Sequence, residues 1–124
     1  MTTVSSFNSV NSDGSEAVDG DIATYWRTNK SSSLPAEWIV VDLGSNQTIS
    51  TVKLNWLTYW ATVYDIQVST DNVNWTTKFS TSSGDGGLDT ITFAASTARY
   101  VRMYSTNWSH ATERLRLTEM EIYQ

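Results

Sequence analysis

Short runs of β-branched and aromatic residues alternate with polar turn sequences along this chain. The run at 64–69 alternates apolar and polar positions and leads into Asp71 and Asn72, a common turn pair. Because side chains repeat every two residues in a strand and every 3.6 in a helix, this pattern predicts strands with no helix between them. The clearest of them are the segments 38–43, 48–56, 64–69, 74–79, 88–93, 98–104 and 117–123.

About eight such strands indicate antiparallel sheets packed face to face, so the predicted fold class is an all-β sandwich. A chain of 124 residues is long enough for one hydrophobic core. No linker or internal repeat divides it. We therefore expect a single domain over residues 1–124, excised from a larger secreted protein, and we expect it to be a monomer.

Composition and charge narrow the function classes. The chain has no cysteine, which excludes a disulfide framework and a thiolate metal site. Its formal net charge is −5, and no cluster of basic residues in the sequence is suited to nucleic acid. The same acidic charge disfavours binding to an anionic membrane surface. No stretch approaches the ~20 apolar residues of a membrane span. The six Trp and six Tyr residues supply flat faces that can fill a core or stack on sugars.

Five sequence motifs occur in the order typical of discoidin domains, the coagulation factor five/eight type C family. They are AVDGDIATYW at 17–26, WIVVDLG at 38–44, YDIQVSTDNVNW at 64–75, ARYVR at 98–102 and EMEIY at 119–123. Among the branches of that family the chain most resembles the bacterial carbohydrate-binding modules of family thirty-two. The resemblance implies a jelly-roll, galactose-binding-like sandwich. It also implies that motif aromatics fill the core: Trp26, Trp38, Trp56, Trp75, Tyr64, Tyr100 and Tyr123.

The Asp19-Gly20-Asp21 segment offers hard oxygen ligands of the kind that Ca²⁺ accepts. Its spacing is not that of an EF-hand, and spacing alone favours a polar turn without an ion. The resemblance implies instead a structural Ca²⁺ site that joins this loop to the last strand. The ligands carried over from the family are Asp19, Asp21, Thr24 and Glu121, with the backbone carbonyls of Glu16 and Met120.

Carbohydrate-binding relatives place their site on loops at one end of the sandwich. Recognition of a sugar needs an aromatic face for the ring and polar groups that hydrogen-bond its hydroxyls. Tyr59 and Trp60 are adjacent and cannot both point into the same core face, so we expect at least one to be exposed. The candidate binding residues are Arg27, Glu37, Tyr59, Trp60, Trp108, His110 and Arg114.

Each candidate has a plainer structural alternative. Arg27 and His110 could be solvated loop residues, Glu37 could line a strand edge, and Tyr59 or Trp60 could cap the core. The sugar itself stays open among galactosides, glucosamine polymers, neutral glucans and uronate polymers. The acidic balance disfavours strongly anionic polysaccharides, although Arg27, Lys30, Arg114 and Arg116 could form a local basic patch.

No sequence motif supports catalysis. Glu119 and Glu121 could serve as paired carboxylates of a glycosidase, but Glu121 is already assigned to the metal site. With one His and no Cys, a nucleophilic triad lacks its parts. We therefore predict a non-catalytic module that targets an attached glycoside-active enzyme to a polysaccharide or oligosaccharide. The alternative is a discoidin-like adhesion module that binds protein or lipid.

Overall fold

A computed structural model describes residues 1–9, 12–29, 36–57, 59–109 and 114–124. A short 3₁₀ helix spans Gly14–Ala17, and no helix of the described residues could span a membrane. Seven strands make up the rest of the regular structure: β1 (Thr2–Val4), β2 (Trp26–Arg27), β3 (Glu37–Trp56), β4 (Ala61–Ser69), β5 (Thr76–Thr81), β6 (Leu88–Trp108) and β7 (Arg116–Tyr123).

Two long strands, β3 and β6, run through both layers of the fold. They pair with each other in antiparallel register from Glu37–Ser105 to Asn55–Leu88, and the register shifts between Asp42 and Gln47. Gly44 lies in that interval with a φ of 89°, a backbone conformation that favours glycine. Such a bulge bends a strand and increases its twist. The bend carries both strands from one layer into the other.

The pairing of the remaining strands defines the two layers. The first half of β3 and the second half of β6 pair with β1 and β4, and β5 extends this layer beyond β4. The second half of β3 pairs with β7, which carries β2 at its other edge. All of these pairs are antiparallel. The predicted all-β antiparallel sandwich is therefore confirmed, although each long strand joins two segments that we predicted as separate strands.

The core lies between the two layers and is lined by alternate residues of the paired strands. Ile39 and Met103 are opposite each other in one layer, and Leu54 and Met120 in the other, and all four are buried. Leu117 continues the second layer toward the loops. This alternation is what the period of two in the sequence predicts.

The aromatic residues expected in the core divide between its interior and the outer surface. Trp26, Trp56 and Tyr64 are buried, as predicted. The prediction is wrong for the remaining four: Trp38, Trp75 and Tyr100 are only partly buried, and Tyr123 is 43% exposed.

The register of the first layer explains this difference. Trp38 lies opposite Tyr104, and the neighbouring Ile39 points inward, so Trp38 faces outward. The guanidinium of Arg102 packs over the Trp75 ring at 4.2 Å and over the Tyr104 ring at 4.9 Å. The outer face of this layer is therefore covered by arginine–aromatic stacking.

Candidate functional site

Backbone hydrogen bonds bring four loop segments together at one end of the sandwich. The Leu57 N–H donates to the Arg116 carbonyl at 3.2 Å, and the Arg116 N–H donates to the Tyr59 carbonyl at 3.1 Å. The Thr28 N–H donates to the Leu115 carbonyl at 3.0 Å. The Ser109 N–H donates to the Trp60 carbonyl at 2.8 Å. The segments around Thr28, Leu57, Ser109 and Leu115 are therefore adjacent in space, and we call them the convergent loops.

Tyr59 and Trp60 diverge, as expected from their adjacency. The Trp60 indole donates to the Gly84 carbonyl at 3.1 Å and packs over Gly86 and the edge of the core. Tyr59 has a φ of 69°, in the left-handed region, and its ring lies 5.3 Å from the guanidinium carbon of Arg116. Trp60 therefore holds the 84–87 loop, and Tyr59 is the aromatic that belongs to the convergent loops.

An arginine–tyrosine cluster, which we define as Tyr25, Arg27, Tyr59 and Arg116, forms the centre of this end. Arg27 and Arg116 lie directly opposite each other in the β2–β7 pair. Their guanidinium carbons lie 5.8 and 5.9 Å from the centre of the Tyr25 ring. Arg116 thus sits between two tyrosine rings. Guanidinium stacked on a phenol face in this way retains its in-plane N–H donors for hydrogen bonding.

Trp108 and Arg114 border the arginine–tyrosine cluster. Trp108 is the last residue of β6, is partly buried, and packs against the core. Its indole Nε1 and the Nε of Arg114 are buried and have no hydrogen-bond partner among the described residues. His110, the remaining loop candidate, lies outside the described residues. Trp108 and Arg114 stay candidates for ligand contact.

Glu37 is corrected from a sugar-contacting loop residue to a buried structural one. Its side chain is 1% exposed. The Ser5 hydroxyl donates to one carboxylate oxygen at 2.8 Å, and the Ser6 hydroxyl lies 2.9 and 3.0 Å from the two oxygens. These bonds attach the N-terminal segment to the start of β3, and a ligand has no access to the carboxylate.

The 16–24 loop gathers oxygen atoms around Thr24. The Thr24 hydroxyl donates to an Asp19 carboxylate oxygen, and it lies 3.0 Å from the Asp21 carbonyl and 3.5 Å from the Glu16 carbonyl. The Asp21 N–H donates to the other Asp19 oxygen at 2.9 Å. Asp19, Thr24 and the Glu16 carbonyl are thus brought together as predicted, and Asp21 contributes its backbone oxygen here.

The last strand reaches this loop through Glu119 rather than Glu121. Glu119 is 6% exposed, and its carboxylate accepts the Gly20 N–H at 2.8 Å. Glu121 is exposed, and its carboxylate accepts the Tyr123 hydroxyl. Met120, next to both, packs its side chain in the core opposite Leu54. The predicted role of Glu121 is therefore corrected, because the residue two positions earlier makes the contact.

Acidic groups in and beside this loop alter one another's protonation. Burial is the main reason why the pKa of Glu119 is raised to about 7, and the neighbouring Asp19 raises it further. Hydrogen bonds from Thr24 and from the Asp21 N–H lower the pKa of Asp19 to about 2. Asp19 also raises the pKa of the partly buried Glu16. The ionised carboxylate of Asp19 thus lies beside those of Glu16 and Glu119, whose ionisation is disfavoured.

The donor set of the loop suits a hard cation only if backbone and hydroxyl oxygens take part. Within the described ranges, no three His, Cys, Asp or Glu side chains are grouped closely enough to hold a metal by themselves. Carboxylate, hydroxyl and carbonyl oxygens are what Ca²⁺ accepts in irregular geometry. The chemistry of Asp19, Thr24, Glu119 and the Glu16 carbonyl therefore fits calcium.

Three residues of these sites are not among the site residues predicted from the sequence: Tyr25, Glu119, and Arg116, which the sequence suggested only as part of a basic patch. Tyr25 precedes the motif Trp26, and only the pairing of β2 with β7 reveals that it lies between two arginines. Glu119 alternates with Glu121 on the same face of β7, so the sequence offers both and no local signal separates them.

Comparisons with known proteins agree with this geometry. The model of the F5/F8 type C family described as NedA-like, galactose-binding domain matches residues 16–103. Chitosan-binding module 2 of a chitosanase/glucanase from Paenibacillus sp. IK-5, solved with chitotriose, is 45% identical, with a TM-score of 0.93 over 100% of this chain and 95% of that one. Module 1 of the same enzyme is 42% identical, with a TM-score of 0.93 over 100% of this chain and 94% of its own.

A curated relative places similar sequence inside a much larger protein. It is the polysaccharide lyase 8 family protein HylA of Enterococcus faecalis, which is 34% identical over 101 residues. The match covers 78% of this chain and 7% of that protein. The region of similarity is therefore a small part of its relative.

Proposed function

We propose, since the chain belongs to the F5/F8 type C family of NedA-like galactose-binding domains, that it is a non-catalytic carbohydrate-binding module. The observation that carries the proposal is the convergence of four loop segments on the arginine–tyrosine cluster. An aromatic face beside in-plane N–H donors is the combination that a pyranose ring and its hydroxyls require. The related modules described as chitosan-binding support a glycan as the ligand.

Tyr59 is the residue that we expect to stack on the sugar, with Trp108 beside it. Arg27, Arg114 and Arg116 would hydrogen-bond the hydroxyl or ring substituents. Trp60 would act indirectly, because its ring is occupied by the 84–87 loop. The sugar would therefore be held by one or two aromatic faces, which is consistent with weak binding by an isolated module.

The absence of catalysis is inferred from the engagement of the two candidate acids. Glu119 is buried and bonded to the Gly20 backbone, and Glu121 is bonded to Tyr123 at an exposed position. Neither belongs to the convergent loops. We infer that the module serves an attached enzyme of a secreted bacterial protein, raising the effective concentration of that enzyme at its polysaccharide.

Calcium would be a structural cofactor of this module. Asp19, Thr24, Glu119 and the Glu16 carbonyl would hold it, with the Asp21 carbonyl adjacent. Bound there, the ion would neutralise the carboxylates and join the first loop to the last strand.

Affinity electrophoresis against a panel of neutral, cationic and anionic polysaccharides tests the proposal. We expect retardation by at least one polymer, lost in Tyr59→Ala and retained in Tyr100→Ala. Tyr100 is a partly buried tyrosine of β6 that lies eight residues before Trp108, away from the convergent loops. Unchanged mobility of the wild-type module in every polymer would contradict carbohydrate binding.

A further inference from the structure

The arginine–tyrosine cluster concentrates positive charge in an acidic protein. The chain has 13 acidic and 8 basic residues, yet three of its five arginines, Arg27, Arg114 and Arg116, lie at this end. Arg27 and Arg116 are directly opposite each other in the β2–β7 pair. Like charges at such positions destabilise a strand pair. The sandwich alone therefore offers no reason for this arrangement.

The described part of the protein does not balance this charge. Its one ion pair joins Arg99 to Asp42, away from the convergent loops. Glu37, which the sequence placed at this surface, is buried against Ser5 and Ser6. No described carboxylate thus lies in contact with the three guanidinium groups.

One hydrogen-bond donor of each of these arginines likewise has no acceptor among the described residues. Stacking on Tyr25 and Tyr59 uses the faces of the Arg27 and Arg116 guanidinium groups, whereas their N–H donors lie in the guanidinium plane. The Nε atoms of Arg27, Arg114 and Arg116 are buried, and none has an acceptor among the described residues. Three guanidinium groups held at one end, without an ionic partner among the described residues, are suited to an anion from outside the protein.

From this arrangement we propose that the module binds a negatively charged glycan, with a uronic carboxylate as the group that the arginines recognise. The inference rests on the proposed function and specifies the ligand class of the same site. A carboxylate is planar, and its two oxygens match the paired donors of a guanidinium. The tyrosine faces would hold the sugar ring beside it.

A cationic amino sugar is the ligand that this site would select against. The related module solved with chitotriose is 45% identical, so the folds are the same while the site residues can differ. Ammonium groups of a glucosamine polymer would meet guanidinium groups here, and juxtaposed like charges suppress binding. Ligand charge therefore separates this chain's site from one built for chitosan.

The experiment compares polysaccharides of negative, zero and positive charge. Isothermal titration would measure binding of polygalacturonate and of the same polymer after methyl esterification, which removes the carboxylate charge and keeps the sugar. Chitosan, a neutral glucan, and chondroitin with and without sulfate complete the panel. We expect polygalacturonate to bind at least about tenfold more tightly than its methyl ester and than chitosan. We also expect the advantage to shrink as salt is raised from 50 to 500 mM, on the order of threefold or more.

Variants with matched charge changes show where the preference arises. Arg27→Gln and Arg116→Gln should each reduce polygalacturonate affinity about tenfold and leave affinity for the methyl ester within about twofold. Lys78→Gln, which removes the same charge from β5 at the opposite edge of the strand order, should change neither. Unfolding transitions of all three variants establish that they are folded.

The possible outcomes distinguish a failure of this inference from a failure of the proposed carbohydrate-binding function. Equal or tighter binding of the methyl ester, the glucan or chitosan would overturn the anionic ligand and leave a carbohydrate-binding module. If only the sulfated chondroitin bound more tightly than the neutral polymers, the assignment of a carboxylate as the recognised group would be overturned. An equal loss in Lys78→Gln would show that net charge, rather than the arginine–tyrosine cluster, drives binding. Binding to no polymer of this panel would overturn the anionic ligand, and the proposed function would fall with it only if affinity electrophoresis also showed no retardation.

Discussion

The carboxylate of Glu119 accepts a hydrogen bond from the Gly20 backbone N–H at 2.8 Å, across 99 positions of the sequence. This contact fastens the first loop to the last strand, beside the oxygens gathered around Thr24. The contact also distinguishes the two glutamates of β7, because Glu121, two residues further along the same face, is exposed to solvent.

Calcium should stabilise the module through Glu119 and not through Glu121. A cation that binds only the folded state at 100 times its dissociation constant adds about 2.7 kcal/mol, which for a domain of this size raises Tm by about 10 °C. In Glu119→Gln the amide oxygen can still accept the Gly20 N–H, but the charge is gone, so the rise should fall to less than about half. Differential scanning calorimetry in Ca²⁺ and in EDTA measures the calcium-dependent rise in Tm of each protein.

Glu121→Gln is the matched control, since it removes the same charge two residues away. It should retain the whole calcium-dependent rise in Tm. A rise that disappears in Glu121→Gln and persists in Glu119→Gln would restore the assignment carried over from the family. No rise in the wild-type protein would eliminate the calcium site.

The 84–87 loop should be sensitive to a methyl group at Gly86 and tolerant of one at Gly87. Both glycines have positive φ, 78° and 70°, so alanine costs about 1–2 kcal/mol at either position. A Cβ at Gly86 would also lie 2.8 Å from the Trp60 ring, whereas at Gly87 it meets nothing within 4 Å. We expect Gly86→Ala to be the less stable variant by about 1–3 kcal/mol in urea unfolding. Equal losses would mean that Trp60 moves aside freely.

The contact between Trp60 and Gly86 also bears on how binding data should be interpreted. Trp60→Ala should lower the free energy of unfolding because the indole packs on the core and donates to Gly84. A loss of sugar affinity in that variant would therefore not identify a ligand contact.

Much of the architecture follows from local sequence pattern. The alternation at 64–69 predicts β4 in its correct place, with Ile66 and Val68 buried. Tyr64 is buried there as well. The bends in β3 and β6 are not predictable in this way, since a polar interruption such as 44–47 is the same whether a strand ends there or turns a corner.

The orientation of Trp38 illustrates what a single sequence cannot determine. Trp38, Ile39, Val40 and Val41 are consecutive apolar residues, so both faces of this strand are apolar and the pattern does not identify the inner one. Pairing with β6 decides it, because Ile39 lies opposite Met103 in the core. A shift of one residue would exchange the two faces.

The candidate site was likewise predictable in part. Adjacency required Tyr59 and Trp60 to diverge, but which of them meets the arginines depends on the position of the 84–87 loop. The cross-strand pairing of Arg27 with Arg116 joins residues far apart in sequence, and no local pattern encodes it.

Acid should weaken the fold in part through Asp42. Hydrogen bonds from the Arg99 guanidinium, at 2.9 and 3.1 Å, and from the Gly44 N–H lower the pKa of Asp42 to about 2. A carboxyl whose pKa is lower in the folded state than in the unfolded chain stabilises the fold at higher pH. That contribution is complete above about pH 5 and is lost as the pH falls through about 4 toward 2.

Two variants test this acid dependence. Asp42→Asn should have a lower Tm than the wild type at pH 7, and its Tm should fall less steeply between about pH 4 and 2. Arg99→Gln removes the main cause of the shift and should flatten the same part of the profile. Parallel profiles for all three proteins would show that Asp42 does not contribute to acid unfolding.

Tyr59→Gly should separate the stability of the convergent loops from their affinity for sugar. Tyr59 has a φ of 69°, which costs a residue with a side chain about 1–2 kcal/mol and costs glycine almost nothing. Removing its ring forfeits the contact with Arg116 at 5.3 Å, which is worth about 0.5–1 kcal/mol at a partly exposed site. The two changes oppose each other, so the free energy of unfolding should stay within about 1 kcal/mol of the wild type.

Affinity for the polysaccharide that binds the wild type should nevertheless fall at least about tenfold, because the stacking face is gone. Urea unfolding and titration on the same preparation measure both quantities, and an intact affinity in a folded Tyr59→Gly variant would move the stacking face from Tyr59 to Trp108.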